Sequence, residues 1–168
     1  MENSDFLKSV VLFAEFERED LQKLGGMLQR TGFHPGDTVL DEGSPNRALH
    51  ILASGRLRVV REVQGREVAL CDLMAGQSFG ELSIIEDGVA SATLKAVTDA
   101  EVLSVPMQEL ATFLRQNPAA GAQFWRAIAL DLRRRLIQTN DVVARYFEVN
   151  RAIIENPTFR EAYAMCLR

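Results

Sequence analysis

Between Phe79 and Thr93 the chain reads FGELSIIEDGVASAT. Ionised Glu81 is an acceptor-only group, suited to a ligand that brings hydroxyl donors. Ser91 adds a short hydroxyl. A cation is missing: no Lys or Arg stands between Phe79 and Leu94, and Glu86 and Asp87 add negative charge. A desolvated anion calls for a rigid bidentate donor. The first cation beyond the stretch, Lys95, lies about 13 Å along an extended strand from Ser91, a long reach.

Other chemistries find less support. His34 and His50 lie in separate segments, without the i, i+4 partner of a helical zinc site. Two cysteines, Cys71 and Cys166, are too few for a four-thiolate cluster. Both are expected to be unlinked thiols, with Cys71 in an apolar strand pattern of the kind that buries free Cys. There is no phosphate-binding loop ending in Gly-Lys-Ser/Thr and no Ser or Cys nucleophile with a recognisable base. An enzyme is not expected, nor a required cofactor or metal. The net charge of -4 argues against nucleic acid as the main partner, because phosphate neutralisation needs clustered cations. Arg133, Arg134 and Arg135 point in several directions on a helix and have Asp131 and Asp141 interleaved, so they read as a solvated face. No apolar run approaches the roughly 18 residues of a membrane span, and the acidic start carries no secretory signal. A cytoplasmic protein without a membrane partner is expected.

Three regimes position the stretch. From Ser4 to about Gln29 the pattern is helical, with Leu21, Leu24 and Leu28 on one face and Gly25-Gly26 as a weak point. From about Phe33 to Val105 the period becomes two. LHILASG, RLRVVREV, REVALCDL and SATLKAVT are separated by turns at Gly36, Gly43, Gly55, Gly65 and Gly76, and Val63-Gln64-Gly65-Arg66 reads as a hairpin. Short strands at this spacing predict a closed or double-sheet unit such as a jelly roll. From Pro106 the pattern is helical again, with a stop at Asn117 before Pro118. Asn117 then serves as N-cap of a helix running to about Glu155.

On that long helix Leu132, Leu136, Thr139, Val143, Tyr146, Asn150 and Ile153 step by alternate fours and threes, the spacing of a coiled-coil seam. A parallel homodimer is the preferred reading, with Thr139 and Asn150 fixing register. Packing of the stripe on the chain's own sheets is the alternative.

FGELSII, the SATLKAVTDAEVL segment after it and the turn-rich HPGDTVLDEGSPNRALHILASGRLRVV before it resemble the cyclic nucleotide-binding domain of catabolite activator proteins and of cAMP-dependent protein kinase regulatory subunits. The resemblance spans about Phe13 to Ile154. It implies a double-stranded β-helix with N-terminal helices and a long C-terminal helix. It also implies that Glu81 accepts from a ribose 2′-hydroxyl and that backbone amides near Gly80 and Leu82 face the ligand. The family's phosphate-binding arginine falls on Ala90, followed by Ser91 and Ala92. Its helix contact to the base falls near Thr139 and Asn140. Phe79 and Leu82, beside the ligand in this pattern, are read as core residues ahead of ligand contacts. Losing one partner of a desolvated charge pair costs about 3 to 5 kcal/mol, and each 1.4 kcal/mol is about tenfold in affinity. A cyclic nucleotide is therefore expected to bind weakly or with altered specificity.

The expected organisation is a roll with helical lead-in over 1–116, then a dimerisation helix and short terminal helix over 117–168. The segment Asn156 to Arg168 is too short for a helix-turn-helix, so direct DNA binding is not expected. The expected function is a stand-alone sensor signalling through its C-terminal helix to an unknown protein partner. A ligand-free dimeric scaffold of the same fold is the alternative.

Overall fold

The computed structural model describes residues 3–81 and 88–158. Two compact units divide the chain, Met1–Ile128 and Ala129–Arg168.

The first unit opens with helix α1 (Asn3–Ser9), a 3₁₀ turn at Val11–Phe13 and helix α2 (Arg18–Met27). The single helical regime expected here is thus interrupted. Leu21 and Leu24 are buried as their spacing predicts, but α2 ends at Met27, and Leu28 is already extended. Gly25 packs closely against α1, where an added Cβ would meet Asn3 Cβ at 3.3 Å. The strand regime begins earlier than the pattern indicated, with β1 at Gln29–Phe33.

Among the described residues, eight strands lie in two antiparallel sheets. The remaining strands are β2 (Thr38–Leu40), β3 (Ala48–Ser54), β4 (Arg56–Val63), β5 (Arg66–Met74), β6 (Ser78–Phe79), β7 (Thr93–Ala96) and β8 (Ala100–Pro106). One sheet has the order β1-β8-β3-β6 and the other β2-β7-β4-β5. This is the expected jelly roll with helical flanks. The β4–β5 hairpin closes with Val63 opposite Arg66, and its two central residues, Gln64 and Gly65, both have positive φ, as a type I′ turn requires.

Alternation turns one face of each sheet inward. Leu52, Leu57, Leu73, Phe79, Leu94, Ala96, Ala100 and Val102 form the core between the sheets. Cys71 departs from its expected burial and is exposed. The cause is topological: β5 is the edge strand of its sheet, and most of its residues face solvent.

Helix α3 (Met107–Gln116) follows β8 directly, and helix α4 (Pro118–Glu155) follows α3 after Asn117. Both boundaries agree with the proline signals. Asn117 works differently from the expected side-chain N-cap: its Nδ2 donates back to the Phe113 carbonyl at 2.8 Å, closing the end of α3. The first turns of α4 bury Ala120, Phe124 and Ile128. Phe13 stands at the centre of the helical core, 5.9 Å from the Phe124 ring and 5.3 Å from Phe16, with Phe16 6.3 Å from Phe113. These rings join the lead-in helices to α3 and α4.

Truncating a fully buried aromatic removes apolar burial and leaves a cavity. Phe124→Ala should therefore lower unfolding stability by about 3 to 5 kcal/mol in urea titration. A loss under about 1 kcal/mol would mean the ring does not hold these helices together.

Candidate functional site

The FGEL block begins where β6 ends. Phe79 is buried against the core cluster and pairs with His50 across the β3–β6 ladder. Gly80 then turns with φ +81°, a left-handed conformation that residues with a Cβ rarely adopt. A Cβ at Gly80 would also come within 2.4 Å of Asn46 Nδ2. Glu81 follows, with only 4% of its surface exposed. An ionised carboxylate at that depth is costly unless a donor meets it. Leu82 lies outside the described residues, as do Glu86 and Asp87.

The second part of the motif returns to the same loop. Ser44 O accepts from Ala90 N at 2.9 Å, Gly43 N donates to Ala90 O at 2.8 Å, and Pro45 bridges to Val89. Asn46 N donates to Gly88 O at 3.4 Å while Asn46 Nδ2 donates to Gly80 O, also at 3.4 Å. Residues 43–46 thus bracket both halves of the motif, bringing Phe79, Gly80 and Glu81 to the loop that also holds Ala90. Ala90 and Ala92 are each 7% exposed, whereas Ser91 is exposed.

No cation takes the place that Ala90 leaves among the described residues of this sheet. Lys95 is opposite Thr38 and Arg58, on the face away from Leu94, and is bound to the Glu67 carboxylate. Arg61 pairs with Glu42 at 2.8 Å. Arg58 holds Asp72 in a two-point bond at 2.7 and 3.0 Å, which keeps the Asp72 carboxyl below its usual range. Lys95, Arg61, Glu42, Glu67 and Thr93 line a polar depression of about 650 Å³.

Thr139 and Asn140 belong to the second unit and are exposed. The Thr139 hydroxyl donates to Arg135 O at 2.9 Å, one turn earlier. Leu136, Val143, Tyr146 and Ile153 are exposed, and Leu132 and Asn150 are half-buried. Asp131 binds Arg134 and Arg135 at 2.6 and 2.7 Å, so two of the three consecutive arginines are tied to one buried carboxylate.

Two residues that sequence reasoning did not single out as site groups sit beneath Gly80. His50 Nε2 is 3.0 Å from Asn46 Oδ1, and His50 Nδ1 is 2.8 Å from Ser104 Oγ. The His50 ring stacks on Phe79 at 4.9 Å. Burial pushes the imidazole down to about 4, so it is neutral at physiological pH. The only signal in the sequence was an imidazole at an alternating-strand position.

The region matching the Cyclic nucleotide-binding domain family model is residues 30–117. The chain is 30% identical over 131 residues to the CRP-like cAMP-activated global transcriptional regulator of Mycobacterium tuberculosis, covering 77% of this chain and 58% of that protein. It therefore spans under two thirds of that relative. Among solved structures, the N-terminal domain of a transcriptional regulator from Streptomyces coelicolor superposes with a TM-score of 0.69 at 30% identity, covering 83% of this chain and 95% of that one. A cyclic nucleotide-binding domain from Methylobacillus flagellatus superposes with a TM-score of 0.76 at 20% identity, covering 86% and 82%. The last of these bears on the fold alone.

The depressed His50 value carries a stability consequence. Unfolded, the imidazole takes its proton near 6.5; folded, it resists protonation until about 4. Its contribution is thus complete above pH 6.5 and lost as pH falls towards 4, a change on the order of 3 kcal/mol. Denaturation of the wild type and of His50→Gln across this window should show a steeper acid loss in the wild type. Equal slopes would assign the acid sensitivity to other groups.

Proposed function

Because the chain belongs to the cyclic nucleotide-binding domain family, we propose that it is a regulatory sensor module whose ligand site is built on Gly80, Glu81 and Ser91 and is degenerate at Ala90. The observation that carries this reading is the buried Glu81 on a left-handed glycine step, held by the same loop that holds Ala90. A buried carboxylate suits the hydroxyls of a ribose. With alanine at the position where the family resemblance puts an arginine, the site disfavours a second anion near Glu81. A cyclic nucleotide then binds weakly, or a related ligand with less charge at that end is preferred.

In this reading occupancy is signalled through helix α4 to a protein partner in the cytoplasm. Such a signal requires that the ligand bind two arrangements of the chain with different affinity. The Mycobacterium relative is a cAMP-activated regulator, which supports reading this chain as a ligand-controlled module. Among the described residues no helix is long and apolar enough to cross a membrane.

The ligand-free dimeric scaffold is the second reading, and the surface of α4 favours it. At about 100° per residue, exposed Leu136, Val142, Val143, Tyr146, Phe147, Val149, Ile153 and Ile154 share one side of the helix. Their arc is about 160° wide, broader than a minimal seam. Arg133, Arg134, Asp141, Arg145, Glu148 and Arg151 occupy the opposite side. A second copy paired along Leu132, Leu136, Thr139, Val143, Tyr146, Asn150 and Ile153 would cover the apolar side, with the two polar positions setting register.

Calorimetric titration with cAMP into the millimolar range separates the readings. The wild type should bind weakly, and Ala90→Arg should tighten binding by about a hundredfold or more. No gain from the arginine would mean that the pocket has diverged beyond its one missing cation, and would sink the sensor reading for cyclic nucleotides. Sedimentation of the full chain at tens of micromolar should give a dimer. A monomer there would remove the seam.

A further inference from the structure

A directed chain of side chains runs from the centre of the first sheet to the Gly80 carbonyl. We propose that Asn46 and His50 are positioning residues, which set the Gly80–Glu81 peptide and so the aim of the Glu81 carboxylate. The proposal rests on the sensor reading only for the identity of what Glu81 meets.

Proton directions follow from two backbone groups. Ala48 N–H can only donate, and it meets Asn46 Oδ1 at 3.3 Å. The Gly80 carbonyl can only accept, and it faces Asn46 Nδ2 at 3.4 Å. Together they fix which end of the amide is oxygen. His50 Nε2, 3.0 Å from the same Oδ1, must then carry a proton. A neutral ring leaves Nδ1 as acceptor, so the Ser104 hydroxyl donates to it across 2.8 Å. All three links point the same way: Ser104 to His50, His50 to Asn46, Asn46 to Gly80. Such a chain polarises each member in the same sense.

Steric contacts make Gly80 sensitive to this chain. The volume that a Cβ would occupy at Gly80 is bounded by Asn46 Nδ2 at 2.4 Å, Ala48 O at 3.0 Å and His50 Cδ2 at 3.2 Å. The ring plane of His50 is fixed in turn by Phe79, stacked at an interplanar angle of 17°. Phe79 and Gly80 immediately precede Glu81, so a displaced imidazole or amide moves the carboxylate by way of the backbone. Ser104 and Phe79 are the cross-strand neighbours of His50 in β8 and β6, which anchors the chain on an internal strand of the sheet.

The test uses the unmodified full chain and two variants. Long-range ¹⁵N spectra of the wild type should show His50 as the Nε2–H tautomer at pH 7; the Nδ1–H tautomer would overturn the proposal. Asn46→Asp keeps the shape, replaces the donor to Gly80 by a carboxylate oxygen that can only accept, and adds a negative charge at that buried position. It should move the Gly80 carbonyl ¹³C resonance, speed exchange of the Glu81 amide, and weaken cAMP binding by about tenfold, the size of one lost hydrogen bond. His50→Gln, whose amide can still donate to Asn46, should recover most of the wild-type affinity. Undiminished cAMP binding by Asn46→Asp would overturn the positioning role while leaving the sensor reading intact. If the wild type binds no cAMP, the sensor reading for cyclic nucleotides fails by itself. The Gly80 resonance and Glu81 exchange then decide the positioning claim, and no change in either on Asn46→Asp overturns it.

Discussion

A left-handed peptide step against a packed amide governs the rest of the candidate site. Gly80 takes φ +81° with Asn46 Nδ2 where a Cβ would stand, so the chain leaves β6 in one direction only. That direction carries Glu81 into a buried position. Residues 43–46 supply the other boundary, since their backbone groups pair with Gly88 and Ala90 and their one amide side chain holds Gly80. The two halves of the motif are about ten residues apart in sequence, and they meet because one short loop satisfies the backbone polar groups of both. Unpaired backbone groups at this depth would be costly, which makes the loop a structural requirement as well as a site element.

Charge is distributed with equal economy around the second sheet. Arg58, Arg61 and Lys95 each bind a carboxylate, in pairs that are partly exposed and individually worth little to stability. Their effect on recognition is larger. A cation already paired with a carboxylate offers less to an incoming anion than the isolated guanidinium that the family resemblance puts at position 90. The side chain actually present there is a buried methyl, which neither attracts an anion nor leaves a charge in need of one. Under the proposed reading, an alanine at this position costs the fold nothing while changing which ligands the pocket can favour.

Local signals made much of this legible in the sequence. Positive φ at Gln64 and Gly65 follows from the turn chemistry of a two-residue hairpin, and the ends of α3 and α4 follow from Asn117-Pro118 and Asn156-Pro157. The FGEL block was readable because its residues are contiguous. What escaped the sequence is non-local. Asn46 and Gly80 are 34 positions apart, and His50 and Ser104 are 54 apart, so neither link leaves a periodic trace. Cys71 sits in a strand whose pattern looked apolar, yet its exposure depends on β5 being at a sheet edge, a fact of strand order. The break between α1 and α2 likewise depends on how Phe13 and Phe16 turn inward to meet Phe113 and Phe124.

The amphipathic pattern of α4 places a further constraint on any function. Its first turns have their apolar residues, Ala120, Phe124 and Ile128, already buried in the first unit. Beyond Ala129 the apolar side chains remain largely exposed over more than six turns of helix. Contiguous exposed patches of that kind are uncommon on chains that act alone. Under the dimeric reading a second copy covers this side, and the polar Thr139 and Asn150 within it set its register. Polar groups at seam positions penalise misaligned pairings while lowering the stability of the pair. A ligand signalling through α4 would therefore have to supply its differential affinity against that fixed register.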